Sequence, residues 1–272
     1  MSDKPVQVYI HAGYHKTGTT SLQDFMQANR KLLGPYVAYY GKNDFLAAGA
    51  QARIYAQRPF PWRLWRFRRS LRRFLSGLKN APVILLSRET FSGGMPGHKR
   101  ITGRLMMSYG AAAKPLADTI IAEVKRRFGP QTRITFLYTT RERETWIRSV
   151  YGHLLRSIRI TDDFDSFRTQ FPDLPGPQQE ARAMATYLHP VPVIAIPLET
   201  YSATKEGPAA AILDILEIPA TIRARLTPAK KSNTRDPPDL QQAFLALNRG
   251  RLGKSALKAE KERLIEQWRD RT

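Results

Sequence analysis

Short apolar runs alternate along the chain with longer stretches of helical period. Strands are predicted at Val6–His11, Val83–Ser87, Ile134–Thr139 and Val191–Ile196, each rich in β-branched and aliphatic residues. Apolar positions recurring every three to four residues predict helices over Thr19–Leu33, Pro61–Leu78, Leu116–Phe128, Thr145–Ile158 and Gln178–Leu188. Further helices are predicted at Pro208–Leu216, Leu240–Arg249 and Lys254–Arg269. Irregular stretches lie at Ser92–Arg104, Phe171–Pro177 and Lys230–Asp239. Strand followed by helix, repeated, is the pattern of an α/β fold whose central parallel sheet is covered on both faces. A single domain over residues 1–272 is expected, with a basic aromatic helical insert at about 45–80 and a helical tail at about 239–272.

Composition narrows the chemistry. Apolar residues make up 42%, enough for a sizeable core, and no run approaches the length needed to span a bilayer. The first residues lack the basic start and apolar stretch of a signal peptide, so a soluble cytoplasmic protein is expected. The absence of cysteine excludes disulfides, thiolate nucleophiles and Cys-ligated zinc. Five scattered histidines give no ligand spacing, so no metal is expected. Charge is the outlier: 44 Lys and Arg against 23 Asp and Glu, a net +21. Such a field gathers polyanions, whether nucleic acid, anionic membrane or acidic substrate, without choosing among them.

More selective is the segment "VYIHAGYHKTGTTSLQ", where a strand pattern enters a Gly-Lys-Thr cluster and leaves on a helical one. Gly13 and Gly18 have the G-x-x-x-x-G spacing of a phosphate-binding loop. In a nucleotide kinase the lysine follows the second glycine. Here Thr19 takes that slot and Lys16 lies inside the loop. Backbone N–H groups of the loop and the helix start can still grip an anion. A turn with a solvated Lys16 and a threonine N-cap is the plain alternative.

The string "HAGYHKTGTTSLQ" resembles the 5′-phosphosulfate loop of sulfotransferases that use 3′-phosphoadenosine 5′-phosphosulfate (PAPS), especially the bacterial type. The resemblance implies a P-loop NTPase-like three-layer sandwich with PAPS as donor and no metal. It implies donor contacts from Gly13, Lys16, Thr17, Gly18, Thr19, Thr20 and Ser21. It also implies a 3′-phosphate site after a later strand, where "TTRERETWIRSVY" offers Arg141, Ser149 eight residues on, and Tyr151. Arginine at a strand end can fork onto phosphate oxygens. One departure is Arg143, where the family commonly has proline; Arg143 is then itself a phosphate candidate. "KKSNTRDPPD" resembles the family's late loop, with Lys231 and Arg235 as further donor contacts.

Sulfuryl transfer of this kind passes through a loose in-line transition state, so catalysis is positioning plus charge stabilisation. Lys16 is expected to meet charge on the leaving oxygen. For the base that takes the acceptor's proton, Glu89 leads, because it follows the strand "VILLS" at the end of a parallel sheet where ligands bind. His15 and His98 are the fallbacks.

From Phe45 to Arg88 there is no acidic residue. Within this insert Trp62, Trp65, Leu71, Phe74, Leu75 and Leu78 recur near helical spacing, which suggests an aromatic stripe on the core opposite an arginine face. Alternatively Trp62, Trp65, Arg66 and Arg88 contact the acceptor. The expected acceptor is a hydroxyl on a glycan or glycolipid, acidic or neutral, with peripheral contact to an anionic membrane as a further use of the insert. A P-loop kinase with a displaced lysine is the enzyme alternative. A basic nucleic-acid or membrane-binding module explains the charge, but not why Arg141 and Ser149 accompany Lys16.

Overall fold

The computed structural model describes residues 5–99, 101–201, 203–229 and 236–269. In chain order, β1 (Gln7–His11) leads into α1 (Thr19–Ala28) and the short α2 (Arg30–Leu33); β2 (Ala38–Tyr40) leads into α3 (Leu46–Gln57) and α4 (Pro61–Ser76). Next come β3 (Val83–Ser87), a 3₁₀ turn (Glu89–Ser92), α5 (Gly110–Phe128) and β4 (Arg133–Thr140). Then α6 (Arg143–Ser157), α7 (Phe164–Thr169), α8 (Pro177–Leu188), β5 (Val193–Pro197) and α9 (Leu198–Tyr201) follow. The chain continues through α10 (Ala209–Ile215), α11 (Ala220–Arg223), α12 (Pro238–Arg249) and α13 (Lys254–Arg269).

The chain parts into two compact units, Met1–Arg143 with Pro175–Ser232, and Glu144–Leu174 with Asn233–Thr272. The first holds the whole sheet. Five parallel strands run in the order β2-β3-β1-β4-β5, so the fold is α/β with a central parallel sheet flanked by helices. Central β1 sets His11 opposite Ser87 on β3 and Leu137 on β4. The chain leaves β1 toward β2 and β3 on one side and β4 and β5 on the other. The C-terminal end of β1 is therefore a switch point, where open α/β sheets form their ligand crevice.

Each sheet face is buried by a different set of helices. Leu22, Phe25 and Met26 of α1, Leu33 of α2, and Ile212 and Leu213 of α10 pack with Tyr39, Leu85 and Leu137. Strand alternation turns Val8, Ile10, Ile84, Leu86, Phe136 and Tyr138, all buried, toward the opposite face. There α3, α4, α5 and α8 pack in series.

The predicted α1 helix breaks at Asn29. Its side-chain amide donates to the carbonyls of Phe25 (3.0 Å) and Thr227 (3.0 Å) and accepts the Thr227 N–H (2.8 Å). A tertiary bond thus replaces continuation of the helix. Three-residue β2 and α3 are additional to the predicted elements.

The insert helix α4 corrects an expectation. Phe67, Leu71 and Leu75 carry its buried face, whereas Trp62 and Trp65 are 53% and 56% exposed and lie among the arginines. At roughly 100° per residue the two indoles fall on the side opposite Phe67 and Leu71. Inner-side arginines are held by one buried acid. Arg68 and Arg126 each donate to the Glu123 carboxylate at 2.8 Å, and Arg72 donates twice, at 2.9 and 2.8 Å. Hydrogen bonding to Arg72, ahead of Arg68 and Arg126, holds the fully buried Glu123 down to about 2 against the cost of its burial.

The second unit is helical, built from α6, α7, α12 and α13. Tyr151 packs its ring against Phe164 and Phe167 and donates to the Asp162 carbonyl (3.0 Å). Buried Lys261 donates to the carbonyls of Leu155 (2.7 Å) and Ile158 (3.0 Å), capping the end of α6. Arg159 donates to the carbonyls of Gly250 (2.7 Å) and Leu252 just past α12.

Candidate active site

The loop between β1 and α1 is held from three sides by buried polar bonds. On the β3 side, His11 Nδ1 lies 2.7 Å from the Ser87 hydroxyl, which also accepts from the Gln23 amide of α1 (3.2 Å). On the β4 side, the Thr139 hydroxyl is a hub. It lies 2.8 Å from the Thr17 hydroxyl, 3.3 Å from that of Thr19 and 3.4 Å from His11 Nε2. From the 3₁₀ turn, the Ser92 hydroxyl donates to the Gly13 carbonyl (3.4 Å). Thr17 and Thr19 also donate to the Tyr14 carbonyl, at 2.6 and 3.3 Å. Their hydroxyls therefore brace the loop from within, and only their backbone N–H groups remain for a ligand.

Both glycines have steric reasons. A Cβ at Gly13 would sit 2.3 Å from Thr139 Oγ1 and 2.6 Å from both His11 Nε2 and Thr19 Oγ1. Gly18 adopts a left-handed φ of 88°, and a Cβ there would lie 2.8 Å from the Leu198 side chain. Lys16 is left-handed too, at φ 66°, a conformation that costs a non-glycine residue free energy and recurs at functional loops. Left-handed residues at 16 and 18 give backbone of the kind that builds anion nests.

The helix start completes the cradle. Gly18, the N-cap of α1, offers no side chain to the first N–H groups, and the first turn holds no acid. Those donors and the positive end of the helix are thus left for an anion. Thr20 and Ser21 lie in this first turn.

Arg141 follows β4 and donates to the Lys16 carbonyl (3.4 Å), so the later strand's arginine meets the loop's lysine residue. The next N–H, of Glu142, donates to the Glu199 carboxylate (2.8 Å), pinning the strand exit to α9. Beside Arg141, the buried Thr140 hydroxyl has no partner among the described residues. A shape closed to side chains, bare helix N–H groups and a cation at the rim fit a phosphate or phosphosulfate.

Three titratable groups gather above the loop. His15 stacks on Tyr109 with ring centres 6.0 Å apart. Burial first, then the charges of His98, Lys16 and Arg88, pushes His15 down to about 4, so it is neutral near pH 7. Burial also lowers His98, which sits where its carbonyl accepts the Met106 N–H (2.9 Å). Glu89 opens the 3₁₀ turn just beyond β3, at the same end of the sheet. Arg88 donates to Thr90 (3.3 Å) and the Lys42 carbonyl (3.2 Å), rests against Gly49 of α3 and feels the charge of Glu89. Arg88 is therefore a strut between β3 and α3.

Not every sequence candidate joins this cluster. Trp62 and Trp65 make their ring contacts with Phe60 and Arg69, and Arg66 lies beside them on the exposed side of α4. Ser149 lies on α6, half-buried within the helical unit. Lys231 and Arg235 fall outside the described residues.

Sequence reasoning missed Thr139, Ser87, Gln23 and Ser92, whose hydrogen bonds hold the loop and its flanking elements. It also missed a buried tyrosine group behind the loop, in which Tyr14 packs on Tyr109 (4.6 Å) and Tyr138 (5.1 Å). Glu180 serves that group by accepting the Tyr109 N–H (2.8 Å) at the start of α5. Such residues carry no motif of their own; the one signal was polar residues at strand ends. Among the described residues no three His, Asp or Glu side chains are grouped to hold a metal ion, and no helix is long and apolar enough to cross a membrane. No family model matches the chain, and no curated protein matches it.

Proposed function

We propose that the protein is a sulfotransferase that moves the sulfuryl group of PAPS to an acceptor hydroxyl on a glycan or glycolipid. The observation that supports this best is the left-handed Lys16 inside a loop closed by Gly13 and Gly18, its carbonyl taken by Arg141. A kinase-type lysine would start the helix; this one sits one turn of backbone earlier, beside the anion cradle.

In this reading the first N–H groups of α1 bind the donor's 5′-phosphate, and Lys16 offsets the charge that grows on the oxygen leaving sulfur. Arg141 takes the 3′-phosphate; the share of Ser149 rests on the resemblance alone. Glu89 accepts the proton of the acceptor hydroxyl. The acceptor oxygen bonds to sulfur as the bond from sulfur to the 5′-phosphate oxygen breaks, leaving adenosine 3′,5′-bisphosphate. Neutral His15 stacks on Tyr109 and is assigned to orienting the loop rather than to meeting the acceptor. With no cysteine, nothing in the chain depends on an oxidising compartment, and we assign the reaction to the cytoplasm.

Calorimetric titration with adenosine 3′,5′-bisphosphate and with ATP–magnesium tests the donor assignment. Binding of the bisphosphate alone is expected, and binding of ATP–magnesium alone overturns it in favour of a kinase. With labelled PAPS and a panel of glycans and glycolipids, Lys16→Ala is expected to slow transfer by about 10²–10³-fold. Unchanged transfer by Glu89→Gln removes Glu89 as the base.

A further inference from the structure

The outward face of α4 combines two features that rarely share a soluble helix surface. At roughly 100° per residue, Trp62, Trp65, Arg66, Arg69 and Arg73 fall within an arc of roughly 100°, nearly opposite the buried Phe67, Leu71 and Leu75. Both indoles are more than half exposed, and Phe60, 38% exposed, stacks flat on Trp62 with centres 4.4 Å apart. Arg69 lies over the Trp65 ring, 5.6 Å from its centre. Exposed Ile101 is tied by its N–H to the carbonyl of Gln57, three residues before Phe60.

The arginines of this face are differently employed from their neighbours. Arg68 and Arg72 are held by Glu123, whereas Arg66, Arg69 and Arg73 meet no carboxylate among the described residues. No acid lies anywhere between Phe45 and Arg88 to neutralise them.

We infer that this face of α4 docks the protein on an anionic lipid bilayer, with the helix lying in the plane of the interface. Indole rings favour the headgroup level, arginines pair with lipid phosphates, and a convex helical ridge suits a flat surface. A sugar chain held in register asks for acceptors as well as donors, to serve its hydroxyls. The outer face offers arginine and indole donors and almost nothing that accepts. Exposed tryptophans also go beyond what an acidic polysaccharide needs, since that would be satisfied by cations. The net charge of +21 adds long-range attraction to the same surface. This inference does not rest on the transferase reading, and its readout uses neither donor nor acceptor.

Vesicle sedimentation and tryptophan fluorescence test it with the whole protein. Vesicles of phosphatidylcholine with about one-third phosphatidylglycerol should bind it, and phosphatidylcholine alone should not. On binding, indole emission should shift to the blue and be quenched by lipids brominated in the upper acyl chain. Arg66→Gln/Arg69→Gln/Arg73→Gln should weaken vesicle binding on the order of 100-fold. Trp62→Ser/Trp65→Ser should weaken it about tenfold or more and abolish the blue shift. The inference is overturned if wild-type protein binds anionic vesicles with no lipid quenching, because diffuse charge then suffices. It is equally overturned if the tryptophan variant binds as wild type, or if a soluble acidic polysaccharide is bound while anionic vesicles are not.

Discussion

The loop at Gly13–Gly18 and the helix α4 are both built on cations and glycine or aromatic punctuation, yet they treat their polar groups in opposite ways. Around the loop, hydroxyls and an imidazole are buried and satisfied by one another, with Thr139 joining Thr17, Thr19 and His11. What faces outward is backbone N–H at the start of α1. On α4, side chains do the presenting, and among the described residues Arg68 and Arg72 are tied down by Glu123. The loop is a braced cradle lined by backbone N–H groups, whereas the helix face is a set of adaptable cations and rings. Braced cradles suit a reacting group that must be placed within a fraction of an ångström; adaptable faces suit a surface that has no fixed geometry.

The strongest way to break the cradle is to fill it. Gly13→Ala forces a methyl group against three atoms at 2.3–2.6 Å, two of them hydroxyls already committed to hydrogen bonds. The loop should lose about 3 kcal/mol in urea unfolding, with binding of adenosine 3′,5′-bisphosphate falling in parallel. An unaltered midpoint would mean that the loop is less constrained than its bonds imply.

Acid attacks the same brace from inside. His11 is fully buried between Ser87 and Thr139, and burial pushes it from its ordinary 6.5 down to about 3. The unfolded chain therefore takes up a proton that the folded chain refuses. Its contribution is whole above pH 6.5 and is lost as pH falls toward 3, amounting to about 2 kcal/mol at pH 5. Stability measured from pH 7 to 5 should decline. His15, pushed to about 4, adds a slope of the same sign and nearly the same size from pH 7 to 5, so His11→Gln should remove about half of the decline.

The contrast between the two regions also explains what was legible before folding. The loop was readable because its glycines, lysine and following helix lie in one contiguous string, and local spacing carries the chemistry. Its braces were not readable, because Thr139 and Ser87 reach it only through the pairing of β1 with β3 and β4. On α4 the helix itself was evident, but apolar periodicity assigns every aromatic residue to the core. Trp62 and Trp65 break that rule, and nothing local marks them as outward. Helix α3 was missed for a related reason. Its buried face is Ala48, Gly49, Ala52 and Ala56 with Tyr55 as the one large side chain, and the small residues give little periodic contrast. Gly49 is small because Arg88 lies on it: a Cβ would meet Nε at 2.2 Å. Three-residue β2 is too short to show alternation at all.

Removing the buried acid of α5 probes the tied side of α4. Glu123→Gln keeps the shape but leaves three guanidinium groups without their charge partner. Those groups are 46–51% exposed, so water recovers part of the loss, and the cost should be about 1.5 kcal/mol at neutral pH. Because the acid is held down to about 2, the wild-type contribution persists above pH 4.5 and is lost as pH falls from there toward 2. Wild type and variant should therefore converge in stability below pH 3, and parallel curves down to that pH would assign the cost to packing instead.

The finest distinction lies between two arginines three positions apart on α4. Arg69 and Arg72 are both exposed side chains on one helix of a strongly basic protein, so a count of charges treats them alike. Their partners do not. Arg72 donates twice to a buried carboxylate that joins α4 to α5, whereas Arg69 lies over the exposed Trp65 ring. Arg72→Ala should lower the melting temperature by several degrees, since Glu123 loses the guanidinium that donates to it twice. Arg69→Ala should leave it within about 1 °C, because a solvated cation on an open face contributes little to folding. Differential scanning calorimetry on the two variants separates these outcomes. Equal shifts would mean that the outer arginines also serve the fold, and a loss of vesicle binding on their removal would then need a folding control before it could be read as docking. Unequal shifts would leave the outer face with no structural duty, and its tryptophans and arginines would have to be explained by what they meet outside the molecule.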